Sequence, residues 1–241
     1  MPETQSVEVQ TADGAMRLYE AKPDGEARGA VIVIQEAFGV NDHIEDVTRR
    51  FADVGYHAVA PELFHRAGSN MTAPYDDFSK VLPLFEGLSD QALVIDVDAA
   101  IAHLGDAGFA PERIGIVGFC MGGRVTFLVA LERALGAAVG FYGGGIVTAR
   151  FPQFPALLDR VEELKTPWLG LFGDQDQGIP VADVEQLRTA LERAPVDTHI
   201  VRYEDADHGF HCDARPAYNP AAAKDGWERT LAWFDDHLAP A

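Results

Sequence analysis

Short apolar runs alternate with stretches of helical periodicity along most of this chain, and that rhythm restricts the possible fold more than any other feature. "GAVIVIQE" is continuously apolar, as a strand covered on both faces must be. "NDHIEDVTRRFADVG" follows with a helical period, an Asn-Asp start and a Gly stop. The strand "YHAVAPEL", a polar Pro- and Gly-containing loop over residues 64–78 and the helix "DQALVIDVDAAIAHLGDAG" come next. Then the runs "RIGIVG", "GAAVGFYG", "TPWLGLFG" and "DTHIVRYE" read as strands, with helices after Cys120, at "VADVEQLRTALERA" and at "NPAAAKDGWERTLAWFDDHL". This alternation predicts an α/β fold with a mostly parallel, doubly wound sheet and helices on both faces. "SVEVQ" and "AMRLYEA" around "TADG" predict an N-terminal antiparallel hairpin turning at Asp13-Gly14. No repeat or low-complexity linker interrupts the pattern, so residues 1–241 are expected to form a single domain.

The charge narrows the choice of partners. Lys plus Arg number 19 against 38 Asp plus Glu, a net charge of −19. Such a field repels nucleic-acid phosphates and anionic membrane surfaces, so neither is expected as a partner. No apolar run approaches the roughly 18 residues that cross a bilayer, and "MPETQSVEVQ" lacks the basic and apolar segments of a signal peptide. With only two cysteines, Cys120 and Cys212, these features point to the cytoplasm and to free thiols. No oligomer interface is visible, and a monomer is expected.

Ligands of open α/β sheets bind beyond the carboxyl ends of the strands. Four such ends, those after Ile34, Val117, Phe172 and Tyr203, carry unusual chemistry. "GFCMGGR" fits the G-x-nucleophile-x-G elbow, in which a tight strand-to-helix turn exposes Cys120 and bulky residues at Gly118 or Gly122 would clash. The helix N-terminus there favours a thiolate. Taken alone, the same stretch could be a buried cysteine in a glycine-rich turn. "LFGDQDQGIP" offers two acids, Asp174 and Asp176, and "YEDADHGFH" offers His208. Singly these would read as turn, cap or surface residues. In the order nucleophile, acid, histidine they match the sequence of a hydrolase triad on such a sheet.

With these stretches the chain resembles the dienelactone hydrolase (carboxymethylenebutenolidase) family, the cysteine branch of the α/β-hydrolase fold, from about Ala15 to Leu238. "VIVIQEAFGVN", "GFCMGGR", "FYGG", "GDQDQGIP" and "YEDADHGF" carry the resemblance. It implies a carboxylic ester hydrolase without cofactor or metal that opens an enol lactone, or cleaves a related activated ester, through a Cys120 acyl-enzyme. It selects Asp176 over Asp174 as the partner of His208. It also implies that Glu36 contacts the resting thiol and helps deprotonate it when substrate arrives, and that the backbone N–H groups of Ala37 and Met121 form the oxyanion hole. Phe38, Tyr142 and Arg124 are expected around the substrate, although Phe38 and Tyr142 could equally fill the core, and Arg124 is expected to pair with Glu36 rather than sit on a solvated face. His65, His211 and Cys212 are read as bystanders.

One departure matters. Relatives that act on carboxylate-bearing lactones hold the carboxylate with arginines, one of them four residues after the histidine, where this chain has Cys212. The segment "PYDDFSKVLPLFEGLSD", expected to supply another, contains only Lys80 as a cation, leaving Arg66 and Arg215 as substitutes. A broad-specificity carboxylesterase is therefore the alternative reading. A non-catalytic binding protein of the same fold and a metal site on "HGFHCD" are more remote alternatives.

Overall fold

The computed structural model describes residues 2–240. Its strands are β1 (Glu3–Thr11), β2 (Gly14–Lys22), β3 (Gly29–Ile34), β4 (Tyr56–Pro61), β5 (Ile114–Phe119), β6 (Ala137–Phe141), β7 (Trp168–Gly173) and β8 (Thr198–Tyr203). They form one sheet in the order β1-β2-β4-β3-β5-β6-β7-β8. β1 and β2 are antiparallel, β2 joins β4 antiparallel, and from β4 onward every pairing is parallel. The expected α/β-hydrolase sheet with its N-terminal hairpin is present. β3 to β7 are buried at every position, which is why they read as unbroken apolar runs.

The five longer helices are α1 (Asp42–Asp53), α2 (Asp90–Asp106), α3 (Met121–Glu132), α4 (Val181–Leu191) and α5 (Pro220–His237). Asn41, Ser89 and Asn219 cap α1, α2 and α5 by accepting from backbone N–H groups that would otherwise lack acceptors. α1 and α5 share one face of the sheet, where Phe51 packs on Trp227 at 4.6 Å between ring centres. α2 and α3 occupy the other, linked by the fork of Arg133 on Asp98 at 2.6 Å through each nitrogen.

One local expectation needs correction. The hairpin turns at Ala12 and Asp13, because Thr11 pairs directly with Gly14. The Thr11 hydroxyl fixes this turn by accepting from the Asp13 N–H at 3.1 Å and donating to the Gly14 carbonyl at 2.9 Å. The polar loop expected over residues 64–78 is present, and two short 3₁₀ turns follow it, Phe78–Lys80 and Leu82–Phe85, whose brevity leaves no periodic signal.

Against the sheet face beneath α1 lie two buried imidazoles, His43 and His211, with ring centres 5.8 Å apart. Neither His211 nitrogen has a partner among the described residues, and nor does Nε2 of His43. Burial lowers the His43 pKa to about 4 and drives that of His211 well down. An unfolded histidine titrates near 6.5, so between about pH 4 and 6.5 the unfolded chain binds the extra proton. Stability from these groups is thus complete above about pH 6.5 and drains as pH falls. His43 alone should account for about 3 kcal/mol between pH 6.5 and 4. Urea denaturation across that range should show the loss, and His43→Gln should flatten its slope.

Candidate active site

The strand-to-helix turn between β5 and α3 places Cys120 at φ 55° and ψ −114°, outside the regions an L-residue prefers. Such a conformation costs on the order of 1–3 kcal/mol and persists only where its surroundings enforce it. Here they do. A Cβ on Gly118 would lie 2.2 Å from the Gly122 carbonyl oxygen, and one on Gly122 would lie 2.5 Å from the Ile34 oxygen of β3. The Cys120 N–H donates to Phe141 O of β6 at 3.0 Å, and its carbonyl accepts from Arg124 N at 3.3 Å as the first turn of α3 closes. The turn thus holds the thiol where β3, β5 and β6 end.

β8 delivers His208 to the same place. Its Nδ1 lies 2.6 Å from Asp176 Oδ2. The other carboxylate oxygen, Oδ1, accepts from the N–H groups of Gly178 at 2.8 Å and Ile179 at 3.1 Å, so Asp176 cannot turn away. Asp174 faces elsewhere, forked by Arg202 at 2.8 and 2.6 Å. Burial opposes charge on Cys120, but the charge of His208 and its hydrogen bond to the thiol outweigh burial and lower the thiol pKa. Burial likewise opposes an imidazolium, yet Cys120 and Asp176 raise His208 well above its ordinary range. Asp176 stays ionised because the His208 hydrogen bond overcomes its own burial. The three groups therefore favour a thiolate beside an imidazolium.

Glu36, at the end of β3, is fully buried. Arg215 donates to its Oε1 at 3.0 Å, while Oε2 has no partner among the described residues. Burial raises the Glu36 pKa, and the nearby charges of Arg215 and His208 offset this only in part. The Arg215 guanidinium lies 5.6 Å from the Phe38 ring centre and 5.8 Å from that of Tyr75. The Tyr75 hydroxyl accepts from Asn41 at 2.9 Å and lies 3.4 Å from Cys212 Sγ. The structure thus points Glu36 at Arg215 and couples the thiol to His208, whereas the sequence led us to expect Glu36 on the thiol.

Arg124 requires a plain correction. It is not the partner of Glu36. It forks Asp90 at 2.6 and 3.0 Å and also donates to the carbonyls of Gly145 and Pro155. Arg124 nevertheless borders a cavity of about 210 Å³ together with Ala37, Cys120, Met121, Arg150 and His208. Phe78, Phe85, Phe151 and Phe154 form its apolar wall. Tyr142 lies against the imidazole, its ring centre 5.1 Å from that of His208, with its hydroxyl unpartnered among the described residues and its backbone at φ 38°. Phe38 packs edge-on against Tyr75 at 4.8 Å. Of the cations proposed as substitutes, Arg66 is held by Asp13 and Asp96. His65 also bonds Asp96, away from the cavity. Sequence reasoning missed Tyr75, Arg150 and the phenylalanine wall, which sit in connecting segments without periodicity.

The profile of the Dienelactone hydrolase family matches residues 16–238. The chain belongs to the dienelactone hydrolase family. It is a carboxylic ester hydrolase of that family's class. A Methylorubrum extorquens AM1 protein named "Putative carboxymethylenebutenolidase" is 41% identical over 235 residues, covering 95% of this chain and 79% of the relative. An Escherichia coli K12 protein of the same name is 40% identical over 232 residues, covering 92% and 83%. The crystal structure of a "Putative Dienelactone Hydrolase" from Klebsiella pneumoniae MGH 78578 superposes with a TM-score of 0.90 at 37% identity, over 98% of this chain and all of that one. An acylaminoacyl peptidase, 14% identical with a TM-score of 0.78, shares the fold alone.

Because Gly122 is pressed against the β3 backbone, Gly122→Ala should open the elbow. A loss of at least about 1–3 kcal/mol in stability is expected from denaturant unfolding, with catalysis lost alongside. Arg124→Met should leave Asp90 without its partner and lower stability by roughly 3 kcal/mol, read in the same unfolding experiment.

Proposed function

We propose that the enzyme opens an enol lactone, or cleaves a related activated ester, through an acyl-enzyme on Cys120. The observation that carries this reading is the imidazole of His208, coupled on one side to the Cys120 thiol and hydrogen-bonded on the other to Asp176 at 2.6 Å. The thiolate adds to the lactone carbonyl carbon, and the π electrons move to oxygen. Two backbone donors border the cavity at this point. The Met121 N–H is the first of α3 and has no intrahelical acceptor, and Ala37 lies just beyond β3. Both would stabilise the oxyanion. Collapse of the tetrahedral centre breaks the ring C–O bond and releases an enolate, which takes the proton from the His208 imidazolium. His208, now neutral, accepts a proton from water as the oxygen attacks the thioester. Cys120 leaves as thiolate and the acid is released.

Glu36 has a separate role in this reading. Its Oε2 is buried, unpartnered and close enough to influence Cys120 electrostatically. A substrate carboxylate that draws Arg215 away would leave the Glu36 carboxylate without its counter-charge beside Cys120. Arg150, which borders the same cavity, supplies a second positive group for an anionic substrate.

Cys120→Ala should lower kcat/KM by at least about 10³-fold while leaving the fold intact by circular dichroism. Full activity in that variant would overturn the reading. In the wild type, kcat/KM should fall as the pair becomes protonated in acid, with its acidic limb below the roughly 8.5 of a free thiol. Glu36→Gln should slow turnover of a carboxylate-bearing lactone more than that of p-nitrophenyl acetate.

The phenylalanine wall favours a second reading, a carboxylesterase of broad specificity. The two readings separate in the ratio of kcat/KM for a dienelactone to that for p-nitrophenyl acetate. A ratio above one, reduced by Arg215→Met, supports the lactonase. A ratio below one, unchanged by that substitution, supports the esterase.

A further inference from the structure

At the hairpin edge of the sheet, well outside the cavity of Cys120, a carboxylate and two imidazoles converge. Glu20 of β2 lies opposite Gln5 in β1 and Val59 in β4. Its Oε1 is 2.7 Å from His57 Nε2, a residue of β4, and 2.8 Å from Nε2 of His103, in the last turn of α2. All three ligand atoms fall within 4.8 Å of one another. Glu20 and His57 are almost wholly buried, while the His103 side chain is about a quarter exposed. We infer that Glu20, His57 and His103 form a binding site for a divalent transition-metal ion of the zinc type.

The donor set is the argument. Two imidazoles and one carboxylate are what zinc and its neighbours in the first transition row take, and calcium and magnesium prefer oxygen. Bonds of about 2.0–2.1 Å place neighbouring ligand atoms roughly 3.3 Å apart, so each imidazole–carboxylate pair needs to open by about 0.5 Å, and the two imidazole nitrogens already lie within 4.8 Å of one another. An ion here would replace the two N–H···O contacts by two N–metal bonds and one O–metal bond. Each ring proton would then sit on Nδ1. His103, the part-exposed member, marks the side from which solvent would supply a fourth ligand.

The second carboxylate oxygen is already held. Gln5 Nε2 donates to Oε2, and the Lys22 ammonium stands 3.3 Å from it, exposed enough to swing away. Lys22 shows that this carboxylate attracts a cation, and the chain's net charge of −19 raises the local concentration of cations generally. The consequence is structural. One ion would tie β2, β4 and α2 together where the antiparallel hairpin joins the parallel sheet. The set has no sequence signature, since His57 and His103 are 37 and 83 residues from Glu20.

Cobalt(II) should be titrated into full-length Cys120→Ser protein, in which the active-site thiolate cannot compete for the metal. One equivalent should produce a d–d absorption band without sulfur-to-cobalt charge transfer, and zinc should displace it. Loss of a ligand should weaken binding beyond the roughly 10–100-fold typical of removing a residue that hydrogen-bonds a ligand. His103→Asn, at the part-exposed end of α2, should do so without altering the far-ultraviolet circular dichroism. Lys22→Met should tighten binding several-fold by removing a like charge. Three results would overturn the site: no saturable band, a band indifferent to His103→Asn, or a band carrying charge transfer that Cys212→Ser abolishes. The first would leave the cluster as a hydrogen-bonded triad only.

Discussion

The left-handed backbone at Cys120 is the constraint to which the rest of the site answers. That conformation is unfavourable for an L-residue. It exists because β5 must end and α3 must begin within two residues, with Gly118 and Gly122 pressed against each other and against β3. The parallel sheet fixes β3, β5 and β6 in register, and the anchored Cys120 N–H on Phe141 O ties the turn to that register. A side chain held this way has little freedom left to lose when it meets a reactant, which is what positioning contributes to catalysis.

Charge is organised around that turn in two layers. Asp176 is locked by two backbone N–H groups and so orients His208 without itself accepting a proton. Behind them, Glu36 is buried with one oxygen satisfied by Arg215 and the other left bare. An unpartnered carboxylate oxygen in a low-dielectric interior is expensive and is retained where it has work to do. Arg215, Tyr75, Cys212 and Asn41 continue the chain of contacts outward. The only cysteine besides Cys120 therefore belongs to this network.

Much of this was legible in the residues, and the boundary has a physical cause. β3, β5 and β7 were plain because strands buried on both faces must be apolar throughout. The elbow was plain because its glycines are demanded by steric contact within a few residues. Asp176 could be told from Asp174 only through the family pattern, since what separates them is the fork of Arg202 from the neighbouring strand. Arg124 was paired with the wrong acid because one helical turn from Cys120 describes distance along α3 and not direction across it. Its guanidinium points toward α2, where Asp90 waits. Arg215 was visible only as one of two spare cations, as the loop that returns it to Glu36 leaves no periodic trace.

The origin of the cavity wall has a consequence for how such an enzyme can change. Cys120, Asp176 and His208 follow strand ends, whereas Phe78 and Phe85 come from the 3₁₀ segment before α2, and Phe151 and Phe154 from the irregular stretch after β6. None of these four rings takes part in the sheet. Mutational drift can therefore remodel which acyl groups are admitted while the reacting atoms keep their places, so a lineage can wander between preferred esters without first dismantling and rebuilding its chemistry.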